Sequence, residues 1–108
     1  MRKSKKIGII GGVDPQATVV LYRRIIEISQ DKYQAKNNDD YPSVVIESVP
    51  VPDFISDTSK IKKAKKMLVG ATKSLTAAGA TILSIGSNTP FIFYLMTCKR
   101  RLKLILFR

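Results

Sequence analysis

The sequence contains no histidine and a single cysteine, Cys98. A Ser-His-Asp triad, an HExxH zinc helix and a Cys/His zinc finger all need histidine, so the chain alone can build none of them. One cysteine cannot form an internal disulfide, which agrees with a reducing compartment. No apolar run approaches the roughly 18 residues that span a bilayer. We therefore expect a cytoplasmic protein with no metal site and no membrane partner.

Acidic residues are missing from the second half of the chain. The net charge is +11, yet no acidic residue follows Asp57, whereas basic residues continue to Arg108. Such asymmetry can mark a phosphate-binding face. Lysines crowd the range 60–66 without an aromatic residue among them, which argues against stacking of single-stranded bases there. A basic α/β module that binds nucleic acid or another polyanion is the alternative function, although nucleic acid is not the partner we expect.

The hydrophobic pattern predicts a single α/β domain over residues 1–108, because the chain is too short for more. Short, largely apolar runs predict strands at 7–10, 44–46, 80–85 and 103–107. Helical spacing predicts helices at 15–33, 59–79 and 90–99, with Ser59 as the cap of the second. The inward face of the first helix is expected to carry Ala17, Val20, Leu21, Ile25 and Ile28, and that of the second Ile61, Ala64, Leu68, Ala71, Leu75 and Ala78. Strand and helix alternate, which implies right-handed crossovers and a parallel sheet. We expect an open four-stranded sheet of order 2-1-3-4 with helices on both faces.

One stretch, ILSIGSNTP at residues 82–90, combines a buried strand with a polar turn and a helix start. Ser87 presents a hydroxyl, Asn88 or Thr89 can cap the following helix, and Pro90 suits its first position. The free N–H groups of that first turn favour a small carboxylate. Turn and cap chemistry alone is the simpler interpretation of these residues.

Sheet topology independently favours the same place as a ligand site. In open α/β sheets, ligands bind beyond the carboxyl ends of the strands where the strand order reverses. With order 2-1-3-4 that reversal brings together the turns at residues 11–14 and 86–89. The first of them, with Gly11 and Gly12, is better explained as a tight turn than as a phosphate cradle, because the fuller phosphate-binding patterns are absent.

Three segments carry a resemblance to a known family: KIGIIGGVDPQAT, SVVIESVPVPD and AAGATILSIGSNTPFIFY. In this order and spacing they resemble the N-terminal half of the aspartate/glutamate racemases, the cofactor-independent amino-acid racemases. The resemblance implies two similar α/β domains, each giving one catalytic cysteine to the cleft between them. One cysteine takes the Cα proton and the other delivers a proton to the opposite face.

The resemblance also assigns roles to residues of this chain. Ser87 stands at the position of the first cysteine, and Gly12, Asn88 and Thr89 stand at substrate-binding positions. Phe54 stands where an arginine that binds the substrate side chain often occurs. A serine is a far weaker acid than a cysteine thiol and needs a base beside it.

We therefore expect one truncated racemase-type domain that is inactive alone and needs no cofactor. Its expected partners are a dicarboxylic amino acid and either a second copy of the chain or a completing chain.

Overall fold

A computed structural model describes residues 5–12, 15–54, 56–86 and 103–107. The regular elements in these ranges are strands β1 (Lys6–Gly11), β2 (Ser43–Ser48), β3 (Ala80–Gly86) and β4 (Lys103–Phe107), and helices α1 (Pro15–Tyr33) and α2 (Ile61–Ala77). Short 3-10 helices at Asn38–Asp40 and Thr58–Lys60 precede β2 and α2. The helix predicted at 90–99 lies outside the described residues.

The strands pair in parallel in the order β2-β1-β3-β4. The predicted α/β class with a parallel sheet is confirmed. The two helices lie on opposite faces, because Ile10 packs in a cluster with α2 whereas its neighbour Gly11 contacts Thr18 of α1. Among the described helices, none is long and apolar enough to cross a membrane.

The main hydrophobic core lies between the sheet and α2. Buried residues of α2 alternate at three- and four-residue spacing and pack on the inward side chains of β1 and β3. This cluster comprises Ile10, Val49, Phe54, Ala64, Leu68, Ala71, Leu75, Ala80, Leu83 and Ile85. The face of α2 predicted from its spacing is therefore the face that packs on the sheet.

Helix α1 is rotated relative to the expected core face. Apolar spacing predicted Val20 and Ile28 as inward residues, but they are 46% and 37% exposed. The buried positions are instead Thr18, Leu21 and Ser29. Ser29 can be buried because its hydroxyl donates to the Ile25 carbonyl oxygen at 2.7 Å. The prediction for Val20 and Ile28 was wrong, since locally satisfied hydroxyls can replace apolar side chains on the inner stripe.

The start of α2 also differs from the sequence prediction. Ser59 does not cap the helix; it lies inside the 3-10 turn that precedes it. Asp57 caps that turn, and its carboxylate accepts hydrogen bonds from the Ser59 backbone N–H at 3.0 Å and from its hydroxyl at 2.6 Å. The carboxylate, which accepts both bonds, is the better cap.

Candidate functional site at the carboxyl edge of the sheet

Neighbouring strands end close together at one edge of the sheet. Ser48, the last residue of β2, is in register with Gly11 at the end of β1. Ile10 is in register with Ile85, so Gly86 at the end of β3 comes one step further along the same edge. We call the region formed by Gly11, Gly12, Ser48, Val49 and Gly86 the carboxyl edge. It is the part of a parallel sheet where ligands usually bind.

Backbone contacts join the turn after β1 to the end of β2. The Val49 N–H donates to the Gly11 carbonyl oxygen at 2.8 Å. Gly12 has a φ of +84°, in the left-handed region, and a Cβ atom there would lie 2.5 Å from both the backbone N and O of Val49. Both the conformation and the contact require glycine. The two turns are therefore held as one rigid unit.

Thr18 ties the first turns of α1 to the same unit. The Gly12 N–H donates to Thr18 Oγ1 at 3.3 Å. A Cβ atom on Gly11 would lie 2.7 Å from Thr18 Cγ2, so helix and turn are in close contact. Thr18 is 8% exposed. Its hydroxyl and methyl groups both determine the position of the turn that carries Gly12.

Ser48 is a residue of this edge that sequence reasoning missed. Its side chain is exposed, and its Oγ lies 2.9 Å from the place a Gly12 Cβ would occupy. By strand alternation it points to the same face of the sheet as Ile46, the face covered by α1. Ser48 is the last residue of a strand that leads into the loop with Pro50 and Pro52, which we call the proline loop. That position is the signal that could have identified it.

The predicted site residues fall into three groups. Gly12 lies at the carboxyl edge and is half-buried. Ser87, Asn88 and Thr89 lie outside the described residues, although Gly86, which precedes them, ends β3 at this edge. Their roles stay predictions. Phe54 is 4% exposed and packs in the core cluster, so its side chain supports the loop after β2 from within; its role toward a substrate also stays a prediction.

The hydrogen-bonding groups at the described part of the edge are uncharged. They are the hydroxyl of Ser48 and the backbone groups of the two turns, of which the Gly12 and Val49 N–H groups already donate within the protein. Within the described ranges, no cluster of three or more His, Cys, Asp or Glu residues could hold a metal ion. Such an edge can orient a small polar ligand by hydrogen bonds, whereas proton transfer needs groups from elsewhere.

A separate groove of about 450 Å³ lies between α1 and the amino half of β2. Its lining is largely apolar or aromatic: Tyr22, Ile25, Ile26, Asn38, Tyr41, Pro42 and Val44. Val44 and Ser48 are four residues apart on β2, about 13 Å along an extended strand. The groove is therefore distinct from the carboxyl edge.

The chain is similar in sequence to proteins of known family. The family model described as Asp/Glu/Hydantoin racemase matches residues 10–103. The broad specificity amino-acid racemase RacX of Bacillus subtilis (strain 168) is 28% identical over 88 residues, which cover 82% of this chain and 39% of RacX.

Two crystal structures share the fold. An aspartate racemase homologue from Pyrococcus horikoshii OT3 superposes with a TM-score of 0.77 at 33% identity, covering 94% of this chain and 44% of that protein. A putative Asp/Glu racemase from Yersinia pestis gives a TM-score of 0.74 at 24% identity, covering 93% and 44% of the two chains. The chain thus spans less than half the length of each of these relatives.

Proposed function

Because the chain belongs to the Asp/Glu/hydantoin racemase family, we propose that it supplies one half of a cofactor-independent amino-acid racemase site. The family match over residues 10–103 carries this proposal. In it, residues 1–108 act as one domain of a cytoplasmic enzyme, and the substrate is a dicarboxylic amino acid. Nothing in the comparisons favours the alternative of a polyanion-binding module.

In the proposed site, the carboxyl edge holds the amino acid and does not itself move the proton. Gly12 allows its turn to pack directly on the Val49 backbone, which brings the ends of β1 and β2 together beneath the ligand. Asn88, Thr89 and the following backbone amides hold the α-carboxylate, and Ser87 faces Cα from one side. The tight packing of Gly12 against Val49 supports this role, since a preorganised edge loses little freedom when a ligand binds.

Racemisation also needs a second group. A proton leaves one face of Cα and another proton arrives on the opposite face, so two positioned side chains are required. Ser87 is an alcohol, and no histidine is available in the chain to activate it. We propose that the second group comes from a domain outside these 108 residues, and that the 108 residues alone do not racemise aspartate or glutamate.

The experiment is to incubate L-aspartate and L-glutamate with the chain in deuterium oxide. Mass spectrometry follows deuterium at Cα, and chiral chromatography follows the enantiomer ratio. We expect no D-enantiomer from the chain or from Ser87→Cys. The Ser87→Cys variant supplies a thiol on only one face of the substrate Cα. At most it therefore gives slow deuterium exchange with retained configuration. Appreciable D-enantiomer from the unmodified chain would contradict the need for a second domain.

A further inference from the structure

We propose that Ser48 is a further substrate-binding residue, whose hydroxyl donates a hydrogen bond to a carboxylate of the bound amino acid. This role deepens the proposed function and rests on it. The observation that carries it is the place of the Ser48 side chain: exposed, at the carboxyl end of β2, and directly beside Gly12.

The position of Ser48 is determined by the backbone on both sides. Its own strand is in register with β1 up to the pair Gly11 and Ser48. The next residue, Val49, is 5% exposed and bonded through its N–H to Gly11. The Ser48 hydroxyl is therefore attached to a fixed backbone rather than to a free loop, which lowers the entropy lost when it binds a ligand.

The hydroxyl is available for a ligand. Within the described part of the chain, no hydrogen bond engages Ser48 Oγ. Some described hydroxyls are instead engaged within the protein: Thr72 donates to Leu68 O at 3.0 Å and Thr76 donates to Thr72 O at 2.8 Å. A serine side chain can donate one hydrogen bond and accept two, so Ser48 can bind a carboxylate oxygen without losing an existing partner.

The chemistry of the surrounding residues favours a neutral donor at this place. Phe54, the next large side chain after the proline loop, is apolar and packed in the core, so it offers no charge to a second carboxylate. A hydroxyl beside Gly12 can bind that group by a charge-assisted hydrogen bond, which is stronger than a bond between neutral groups. Ser48 would then help select amino acids that carry a second carboxylate next to its hydroxyl.

The chain offers a matched control, because Ser43 begins the same strand. Ser43 and Ser48 are both exposed serines of β2, but Ser43 lies at the opposite end and pairs with Lys6. Ser43→Ala removes a hydroxyl from the strand without touching the carboxyl edge. Ser48→Thr keeps the hydroxyl and suits an extended backbone.

The experiment titrates L-aspartate and L-glutamate into the full 108-residue chain and its variants, with affinity measured by NMR. Melting temperatures check that each variant is folded. We expect Ser48→Ala to bind about tenfold more weakly, the loss typical of one hydrogen bond to a charged group. Ser43→Ala and Ser48→Thr should stay within about twofold of the unmodified chain, a change too small to represent a lost bond.

Equal affinity of Ser48→Ala and the unmodified chain would overturn the role of Ser48 and leave the proposed function standing. Equal weakening by Ser43→Ala and Ser48→Ala would also overturn it. The loss of affinity would then come from a general change in β2 and not from a lost hydrogen bond to the ligand. If the unmodified chain bound neither amino acid, the proposed function would fail and the role of Ser48 would fail with it.

Discussion

The two faces of the sheet are packed very differently. On the α2 face, the inward side chains of β1 and β3 and the apolar stripe of the helix are almost completely buried. On the α1 face, Ile9 and Leu21 are buried, yet Val19, Tyr22 and Ile46 remain 60%, 42% and 40% exposed. The first face holds the domain together, whereas the second leaves apolar surface exposed. The carboxyl edge contacts both faces, because Val49 belongs to the core cluster and Gly11 packs on Thr18 of α1.

The largest expected effect compares one leucine from each face. Leu68 of α2 is fully buried and Leu21 of α1 is 7% exposed. We expect Leu68→Ala to lower the free energy of unfolding by about 2–5 kcal/mol, because it leaves a cavity in a closed core. Leu21→Ala should cost less, since the open α1 face can relax around it. Urea denaturation of both variants makes the comparison, and an equal loss would show that the faces contribute equally.

A smaller effect is expected from two glycines in different settings. Gly12→Ala places a side chain at a φ of +84° and against the Val49 backbone, so it should destabilise by about 1–3 kcal/mol. Gly70 lies inside α2 with nothing within 4 Å of an added Cβ, and Gly70→Ala should stabilise by about 0.5–1 kcal/mol. Thermal melting should show a lower melting temperature for Gly12→Ala and a higher one for Gly70→Ala. A neutral Gly12→Ala would mean that the turn is free to move.

Thr18 tests how firmly α1 holds the carboxyl edge. Thr18→Val keeps the shape of the side chain but removes the acceptor of the Gly12 N–H, at a cost of about 1 kcal/mol. Thr18→Ser keeps the acceptor and loses the methyl group that fills the space beside Gly11. We expect faster hydrogen exchange of the Gly12 amide in Thr18→Val only. Unchanged exchange would show that the 3.3 Å contact does not hold the turn.

The smallest effect concerns the loop at residues 36–40, beside the groove between α1 and β2. Backbone N–H groups of Asn37 and Lys36 donate to the Asp40 carboxylate and hold its pKa below the ordinary value. A lowered folded pKa gives stability that is present above the unfolded pKa and is lost as pH falls through the folded pKa. In Asp40→Asn, the free energy of unfolding should therefore fall less steeply as the pH drops below about 4. An acid limb identical in both proteins would show that these bonds do not survive in solution.

Much of the fold follows from local sequence signals. Apolar runs and helical spacing predicted the strands at 44–46 and 80–85 within a few residues, and the helix at 15–33 was predicted with its observed bounds. The inner face of α1 was not predictable by apolarity, because Thr18 and Ser29 are buried as satisfied hydroxyls. Periodicity assigns such residues to the outside.

The site was only partly accessible from sequence for a different reason. Gly12 was identified by the strand-to-turn pattern, which is a local signal. Ser48 lies next to it only through the register of β1 and β2, and register depends on tertiary structure. Phe54 was assigned by its position in a family pattern, which does not predict that the loop folds its ring into the core.

The most direct test of the carboxyl edge as the amino-acid site is to map backbone amide shifts while L-aspartate is added to the isotopically labelled chain. The groove between α1 and β2 serves as the internal comparison, because it is concave but is not lined by the glycine turn. The largest shifts are expected at Gly11, Gly12, Ser48 and Val49, with little change at Tyr22 and Tyr41. Shifts confined to the groove, with none at Gly12, would contradict the assignment of the site to the carboxyl edge.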